Sequence, residues 1–239
     1  MKPHQTFGEI KAYARGALVG HYGVAIMTLI DVMLIYIFPT YIVGYLFPGS
    51  SMLEIIGSEL VNFILSCFIG ILEAGLCLIY LKLCAGEQAT LFDLFYGYRN
   101  SQNHILLISL VSSIISEVCL MPFMVINTSN MINGVYAPMT EYLVFMAGIA
   151  AAFFLRLPIV QSFFIIIDFP DCTGVDALKQ SMKLMKDNYG RYILFMLSYL
   201  PLFVLSVTSF FIGFLWTIPY AYSGKAAFYL ELAKSKREQ

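Results

Sequence analysis

Long apolar runs, separated by short polar segments, occupy the chain from residue 18 to residue 232. A helix needs roughly 20 apolar residues to cross the hydrocarbon core of a bilayer, where its backbone polar groups must be satisfied internally. Four runs reach this length directly, at residues 18–38, 60–84, 105–126 and 142–167. They predict four transmembrane helices.

A fifth apolar stretch, Tyr192–Tyr222, is too long for one ordinary span and too short for two. Gly213 and the aromatic residues at 210–216 predict a tight reversal within it. The stretch then divides into spans at 192–210 and 212–232, the second of which continues through Lys225. The long Lys225 side chain can extend toward the headgroups, so the pattern predicts six spans in total.

Thirteen of the fourteen Lys and Arg residues fall on one side of this six-span arrangement. The loops on the other side, at 48–59 and 128–141, contain glutamates but no Lys or Arg. Cationic loops stay in the cytoplasm during insertion, so the sorting predicts a cell-membrane protein with both termini cytoplasmic. The thirteen residues are Lys2, Lys11, Arg15, Lys82, Arg99, Lys179, Lys183, Lys186, Arg191, Lys225, Lys234, Lys236 and Arg237.

Composition supports this class and excludes others. The chain is 59% hydrophobic and 12% charged, with a mean hydropathy of +0.78, which leaves too few polar side chains to cover a soluble globule. A formal net charge of −1 provides no field that attracts nucleic acid. Membrane lipids are therefore the expected partners, together with a membrane protein or a second copy of the chain, and nucleic acid is not.

Motifs for catalysis, cofactors or metals are absent from the sequence. The five cysteines and three histidines lack metal-ligand spacing, and no HExxH, G-x-S-x-G, Walker A or G-x-G-x-x-G occurs. The cysteines are interpreted as reduced packing residues. We expect no enzyme, no cofactor and no metal site.

Three Thr residues, each followed three residues later by an acid, mark short helices on the predicted cytoplasmic side. This capping-box pattern satisfies backbone N–H groups at a helix start. The pairs lie 84 and 83 residues apart, which favours three copies of a short interfacial helix plus a transmembrane hairpin. Chance remains the alternative, because the pattern is common and the second copy needs a deletion. The pairs are Thr6/Glu9, Thr90/Asp93 and Thr173/Asp176, and the helices are expected at 7–16, 91–99 and 174–188.

The third short helix has an apolar stripe with helical spacing and a basic polar face. It is predicted to lie at the headgroup level with its lysines toward anionic lipid. The alternative is that the stripe packs against the transmembrane bundle. The stripe consists of Val175, Leu178, Met182, Met185 and Tyr189, and the lysines are Lys179, Lys183 and Lys186.

Four ionisable residues lie within the predicted spans, where a charge is costly: Asp31, Glu73, Glu117 and Arg156. Glu73 and Arg156 come to similar depths and are 83 residues apart, so we expect them to pair. The four residues predict an intramembrane polar site. They form either a structural ion pair with two neutral carboxyls, or a pathway for an ion, a proton or an amphiphile.

Several segments resemble one bacterial membrane family, known as domain of unknown function 975. Its C-terminal signature is similar to residues 176–186 (DALKQSMKLMK), 194–199 (LFMLSY) and 212–220 (IGFLWTIPY), with Ala227-Phe-Tyr229. Its middle loop resembles residues 86–97 (GEQATLFDLFYG). The resemblance implies a multi-pass membrane protein and brings no catalytic residues. The chain departs from the family at Tyr199-Leu-Pro-Leu202, where Pro201 is expected to kink the fifth helix.

Two function classes fit these features. In the first, the spans enclose a polar site at which a small solute or lipid-like molecule binds or crosses. In the second, the chain is a non-catalytic accessory or scaffold that packs against a partner such as a transporter. A cavity that joins the four ionisable residues to an aqueous face favours the first class, and a closed bundle with an apolar groove favours the second.

Overall fold

The computed structural model describes residues 5–49, 51–100, 102–133 and 138–237. Within these ranges the regular structure is helical throughout, which confirms the all-α class. The helices are α1 (Phe7–Leu18), α2 (Tyr22–Leu46), α3 (Met52–Ala85), α4 (Tyr96–Arg99), α5 (Gln102–Ile132), α6 (Met139–Arg156), α7 (Ser162–Asp168), α8 (Gly174–Met185), α9 (Tyr189–Leu197), α10 (Leu200–Thr208) and α11 (Phe214–Arg237). Two 3₁₀ turns, Leu91–Phe95 and Leu157–Ile159, precede α4 and follow α6.

Five helical segments in the described ranges are long and apolar enough to cross a membrane. Their length and composition are those of a membrane protein. The last predicted span corresponds to α11, which is not among the five because its sequence is less apolar than theirs. The five segments are Tyr22–Leu46, Met52–Ala85, Gln102–Asn130, Met139–Asp168 and Tyr189–Thr208.

The helices opposite the lysine-rich end extend further than the predicted spans. α3 begins at Met52 rather than at residue 60, and the Ser51 hydroxyl caps it by accepting a hydrogen bond from the Glu54 N–H at 3.3 Å. The Asn130 side chain, near the end of α5, donates to the buried Glu141 carboxylate at 3.0 Å. These hydrogen bonds lie at the helix ends, so α3 and α5 extend into the segments 48–59 and 128–141, where loops were expected.

Two of the five segments are interrupted, each next to a proline. α9 and α10 are separated at Ser198–Tyr199, directly before Pro201, as expected for a residue that lacks an N–H and clashes with the preceding turn. The segment predicted as one helix at 142–167 is also broken, because Pro158 lies in the 3₁₀ turn that separates α6 from α7. The second break places Arg156 at the end of a helix.

All three predicted caps are present, and each holds its Thr against the acid three residues later. The Thr6 N–H donates to the Glu9 carboxylate at 2.7 Å, and the Thr90 N–H donates to the Asp93 carboxylate at 2.8 Å. The Thr173 hydroxyl accepts from the Asp176 N–H at 3.2 Å. Each cap starts the short helix or 3₁₀ turn expected from the sequence.

α8 packs on the bundle through a face that is rotated from the predicted apolar stripe. The buried residues are Gly174, Ala177, Ser181 and Met185, and the Ser181 hydroxyl donates to the Pro158 carbonyl at 2.8 Å. Val175 and Met182 are 45% and 43% exposed. Small residues allow a closer approach between helices than Val or Met, which explains why the small-residue face is the one that packs.

Buried aromatic residues and ion pairs occur together near the lysine-rich end of the bundle, called here the basic end. Phe228 of α11 is fully buried, and its ring centroid lies 5.2 Å from that of Phe195 in α9. At Gly75 of α3, an added Cβ would lie 1.9 Å from the carbonyl oxygen of Leu94. Ion pairs join Lys82 to Asp93 at 2.7 Å and Arg191 to Glu231 at 2.6 Å.

Candidate functional site

Polar residues from the apolar segments meet around two cavities in the described structure. The first, called the cationic cavity, has a volume of about 380 Å³ and is lined by both Arg156 and Lys225. The second, called the serine cavity, has a volume of about 340 Å³ and is lined by five serines. The two cavities share a wall, to which Glu73, Ser112, Ser116, Arg156 and Phe163 contribute.

One face of α5 supplies most of the hydroxyl groups. Ser109, Ser112, Ser113 and Ser116 follow the i, i+3, i+4, i+7 spacing of a helical face, so all four point into the serine cavity. Two of them donate to backbone carbonyls: Ser109 to Cys67 of α3 at 2.7 Å, and Ser116 to Ser112 at 3.2 Å. The row was absent from the predicted site, although its spacing within an apolar segment was a readable signal.

The break after α6 places Arg156. It is the last residue of α6, where a cation is favoured by the partial negative charge of the helix C-terminus. Its Nε is buried without a hydrogen-bond partner among the described residues. The Arg156 guanidinium therefore lines both cavities, and its Nε–H donor has no acceptor within the described structure.

Glu73 and Arg156 line the same two cavities, as their matched depth implied, but they do not form the expected ion pair. No nitrogen of Arg156 lies within 4.0 Å of a carboxylate oxygen of Glu73 in the described structure. The two opposite charges therefore lie on the same cavity wall without direct contact. A half-buried charge that lacks a close partner is available to a bound molecule.

Lys225 is the residue that the predicted site lacked. The sequence places it in the last span, where its long side chain could reach the headgroups. In the structure it lines the cationic cavity with Glu73 and Arg156, and its Nζ lies 4.5 Å from the centre of the Tyr222 ring. This cation–π contact holds the ammonium group inward.

The two remaining predicted residues differ in position. Glu117 of α5 lines the serine cavity. Asp31 of α2 is half-buried and lines neither cavity, whereas Val32 and Tyr36 of the same helix do line the serine cavity. The structure therefore brings together three of the four predicted residues and adds Lys225.

The lysines predicted to face lipid lie apart from these cavities. Lys179, Lys183 and Lys186 are exposed on or beside α8 at the basic end. Across the described residues, no group of three or more His, Cys, Asp or Glu residues is arranged to hold a metal ion. The cavities present charged side chains and hydroxyl groups that can make ionic contacts and hydrogen bonds.

Sequence comparison assigns this architecture to a family. The profile of the family described as Protein of unknown function (DUF975) matches residues 1–236. The chain belongs to this family. The family match thus extends over all of the helices that line the two cavities, and it confirms the resemblance seen in the C-terminal segments. No curated protein and no solved structure matches the chain.

Proposed function

We propose that this protein binds a small solute or lipid-like molecule at the two adjoining cavities and either holds it or moves it across the membrane, without catalysing a reaction on it. The observation that carries the proposal is the shared wall of the cavities, where Glu73 and Arg156 lie among serine hydroxyls. Ionisable residues inside a membrane segment are costly and commonly mark a substrate or ion site.

Both cavities extend to the apolar outer surface of the bundle. Ile149 and Phe153 line the cationic cavity and are 44% and 38% exposed. Tyr36 lines the serine cavity and is 52% exposed. A molecule in the bilayer can therefore reach the polar wall from the side, which favours a lipid-like ligand over a purely aqueous one.

A chain of three repeats with six spans, both termini cytoplasmic, is part of this proposal. Three equivalent contacts support it: α3 packs against the 3₁₀ turn at Leu91–Phe95, α7 packs against α8, and α11 packs against α1. Each joins the end of a unit's second apolar segment to the capped helix or turn of the next unit, and the third contact joins the last unit to the first.

The first and third units also agree in backbone and burial. His21 and Asn188, which precede α2 and α9, have φ/ψ angles of −119°/5° and −119°/4°. When Thr6 is aligned with Thr173 without a gap, Ala14 falls on Ser181 and Leu18 on Met185, and all four residues are buried. Under this arrangement α11 is the sixth span, with Lys225 inside it.

Co-purification tests the binding proposal. A Phe at Ser116, whose side chain lines both cavities, should fill the shared wall and prevent binding. Ile114→Phe is the matched control, because Ile114 lies on the same helix but is 44% exposed. Native mass spectrometry of the detergent-purified proteins should find a bound small molecule in the wild type and in Ile114→Phe, but not in Ser116→Phe. Equal occupancy in all three would refute the proposal.

A second candidate function, an accessory that packs against a membrane partner, has one observation in its favour. A surface depression of about 600 Å³ lies along a single face of α2 and is lined by Thr40, Gly44, Ile37 and three tyrosines. Tyr41 and Tyr45 are 76% and 82% exposed there. Small and aromatic residues on one helix face suit a second transmembrane helix. Retention of a partner protein by the wild type, and its loss in Gly44→Leu, would favour this role.

A further inference from the structure

We infer that the cationic cavity receives an anionic group of the phosphate type, carried by an amphiphile that enters from the bilayer. The inference rests on the proposed function and adds the chemical class of the ligand. It follows from the charges, the unused donors and the apolar rim of one cavity.

Positive charge exceeds negative charge at this cavity. Arg156 and Lys225 line it together, against the single carboxylate of Glu73. Among the described residues, neither cation has a carboxylate within ion-pair distance. Glu117, the other carboxylate near the shared wall, lines only the serine cavity. An anion placed between the two cations would therefore gain attraction from both in a surrounding of low dielectric.

The donors are of the kind that bind phosphate. A guanidinium can donate two parallel hydrogen bonds to a tetrahedral anion, and the Arg156 Nε–H is buried with no acceptor. Lys225 adds a second charged donor, and Ser112, Ser116 and Tyr192 add hydroxyl groups to the same lining. A buried unsatisfied N–H is unfavourable, so an acceptor in the cavity would stabilise the protein.

The remainder of the lining is apolar and lies toward the outer surface. Leu120 is half-buried, and Ile149 and Phe153 are exposed beside it between α5 and α6. This rim can accommodate the hydrocarbon that follows an anionic headgroup. A free anion has no hydrocarbon that could pack against this rim, so the rim favours an amphiphile.

The decisive measurement is a set of dissociation constants, obtained by native mass spectrometry in an uncharged detergent. Phosphatidic acid tests the anionic amphiphile, diacylglycerol tests the same chains without the charge, and inorganic phosphate tests the free anion. Phosphatidic acid should bind more tightly than both other probes. Arg156→Gln and Lys225→Gln should each weaken it by at least about tenfold, as expected for the loss of a charge-assisted hydrogen bond.

Matched variants separate this effect from damage to the fold. Lys234→Gln removes an exposed lysine from α11, the helix that also carries Lys225, and should leave the affinity unchanged. Arg156→Lys retains a positive charge and should recover part of the affinity if Arg156→Gln is poorly folded. Tighter binding of inorganic phosphate, still dependent on Arg156, would support the anion site but assign it to a free anion.

Two results would overturn the inference. Diacylglycerol binding as tightly as phosphatidic acid, with no effect of Arg156→Gln or Lys225→Gln, would show that charge does not select the ligand. The proposed function would survive that result as long as Ser116→Phe still prevented binding. Failure of every probe to bind would exclude the phosphate-type ligand, and the co-purification experiment would then decide the proposed function separately.

Discussion

The two ends of the helical bundle are built in different ways. At the basic end, aromatic residues from α9 and α11 are buried completely, as Phe195 and Phe228 show. At the opposite end, apolar side chains point outward: Phe38 is 68% exposed and Leu53 is 83% exposed. The chain therefore has one region in which aromatic side chains are buried and another in which many apolar side chains are exposed on the helix surfaces.

This difference shows which forces can act in each region. Lipid tails are as apolar as Leu or Phe, so burying such a side chain against another helix provides no hydrophobic stabilisation in the membrane. Helix–helix association there depends on close packing and polar contacts. The basic end has such contacts in its caps, its ion pairs and its small-residue faces. The two cavities lie where both kinds of surface meet, since buried Phe163 and exposed Phe153 line the same one.

Topology gives the largest expected contrast between the two ends. In a variant without the five native cysteines, single cysteines at Met52 and Asn133 should react fully with an impermeant external thiol reagent. Cysteines at Lys183 and Lys234 should not react until the cells are permeabilised, because the basic end is expected in the cytoplasm. Labelling of Lys234→Cys together with protection of Lys183→Cys would mean that α11 does not cross the membrane.

Removing a ring should be far more damaging at the packed end. Phe228→Ala deletes a fully buried side chain and should lower the free energy of unfolding by about 3–5 kcal/mol. Phe38→Ala removes the same atoms from an exposed position and should change it by less than about 0.5 kcal/mol. Denaturant unfolding in detergent measures both. Similar losses for the two variants would contradict the contrast.

A single methyl group tests the close approach of α3 to the turn after it. In Gly75→Ala the new Cβ would collide with the Leu94 carbonyl oxygen, and we expect a loss of about 1–3 kcal/mol. Gly44→Ala is the control, since nothing lies within 4 Å of a Cβ at that position in α2. It should leave the thermal midpoint unchanged or raise it slightly. An unaffected Gly75→Ala protein would disprove the tight contact.

The smallest effect concerns the second cap. Burial raises the pKa of Asp93, but hydrogen bonds from Lys82 and the Thr90 backbone outweigh burial, so the pKa lies below its ordinary value of 3.8. This stabilisation is present above the unfolded-state pKa and is lost as the pH falls through the folded-state pKa. Asp93→Asn should therefore cost at most about 1 kcal/mol near neutral pH.

The difference between wild type and Asp93→Asn should then narrow below pH 3.8. Exposed Asp187→Asn serves as the control and should match the wild type at every pH. Thermal midpoints across this pH range provide the measurement. A difference that stays constant into acid would indicate that the Asp93 charge is not responsible for the stabilisation.

Local features of the fold were readable from the sequence, because each depends on neighbouring residues. The Thr–acid caps start their helices as predicted, and Phe210 and Phe211 adopt positive φ angles in the expected reversal before α11. Pro201 lies at the expected break. Pro158 indicates a similar break after α6. That break was not predicted, because the apolar pattern of 142–167 is continuous.

The packing face of α8 and the directions of the ionisable side chains depended on tertiary packing, which no local sequence pattern specifies. Periodicity placed Val175 and Met182 on one apolar stripe of α8, expected at the headgroup level or against the bundle. The small residues beside that stripe form the packing face, because the neighbouring turn at Pro158 comes so close. Depth along a helix related Glu73 to Arg156 but could not fix their directions around the helix axes. Rotation of those helices separates that pair, turns Lys225 inward and leaves Asp31 apart from both cavities.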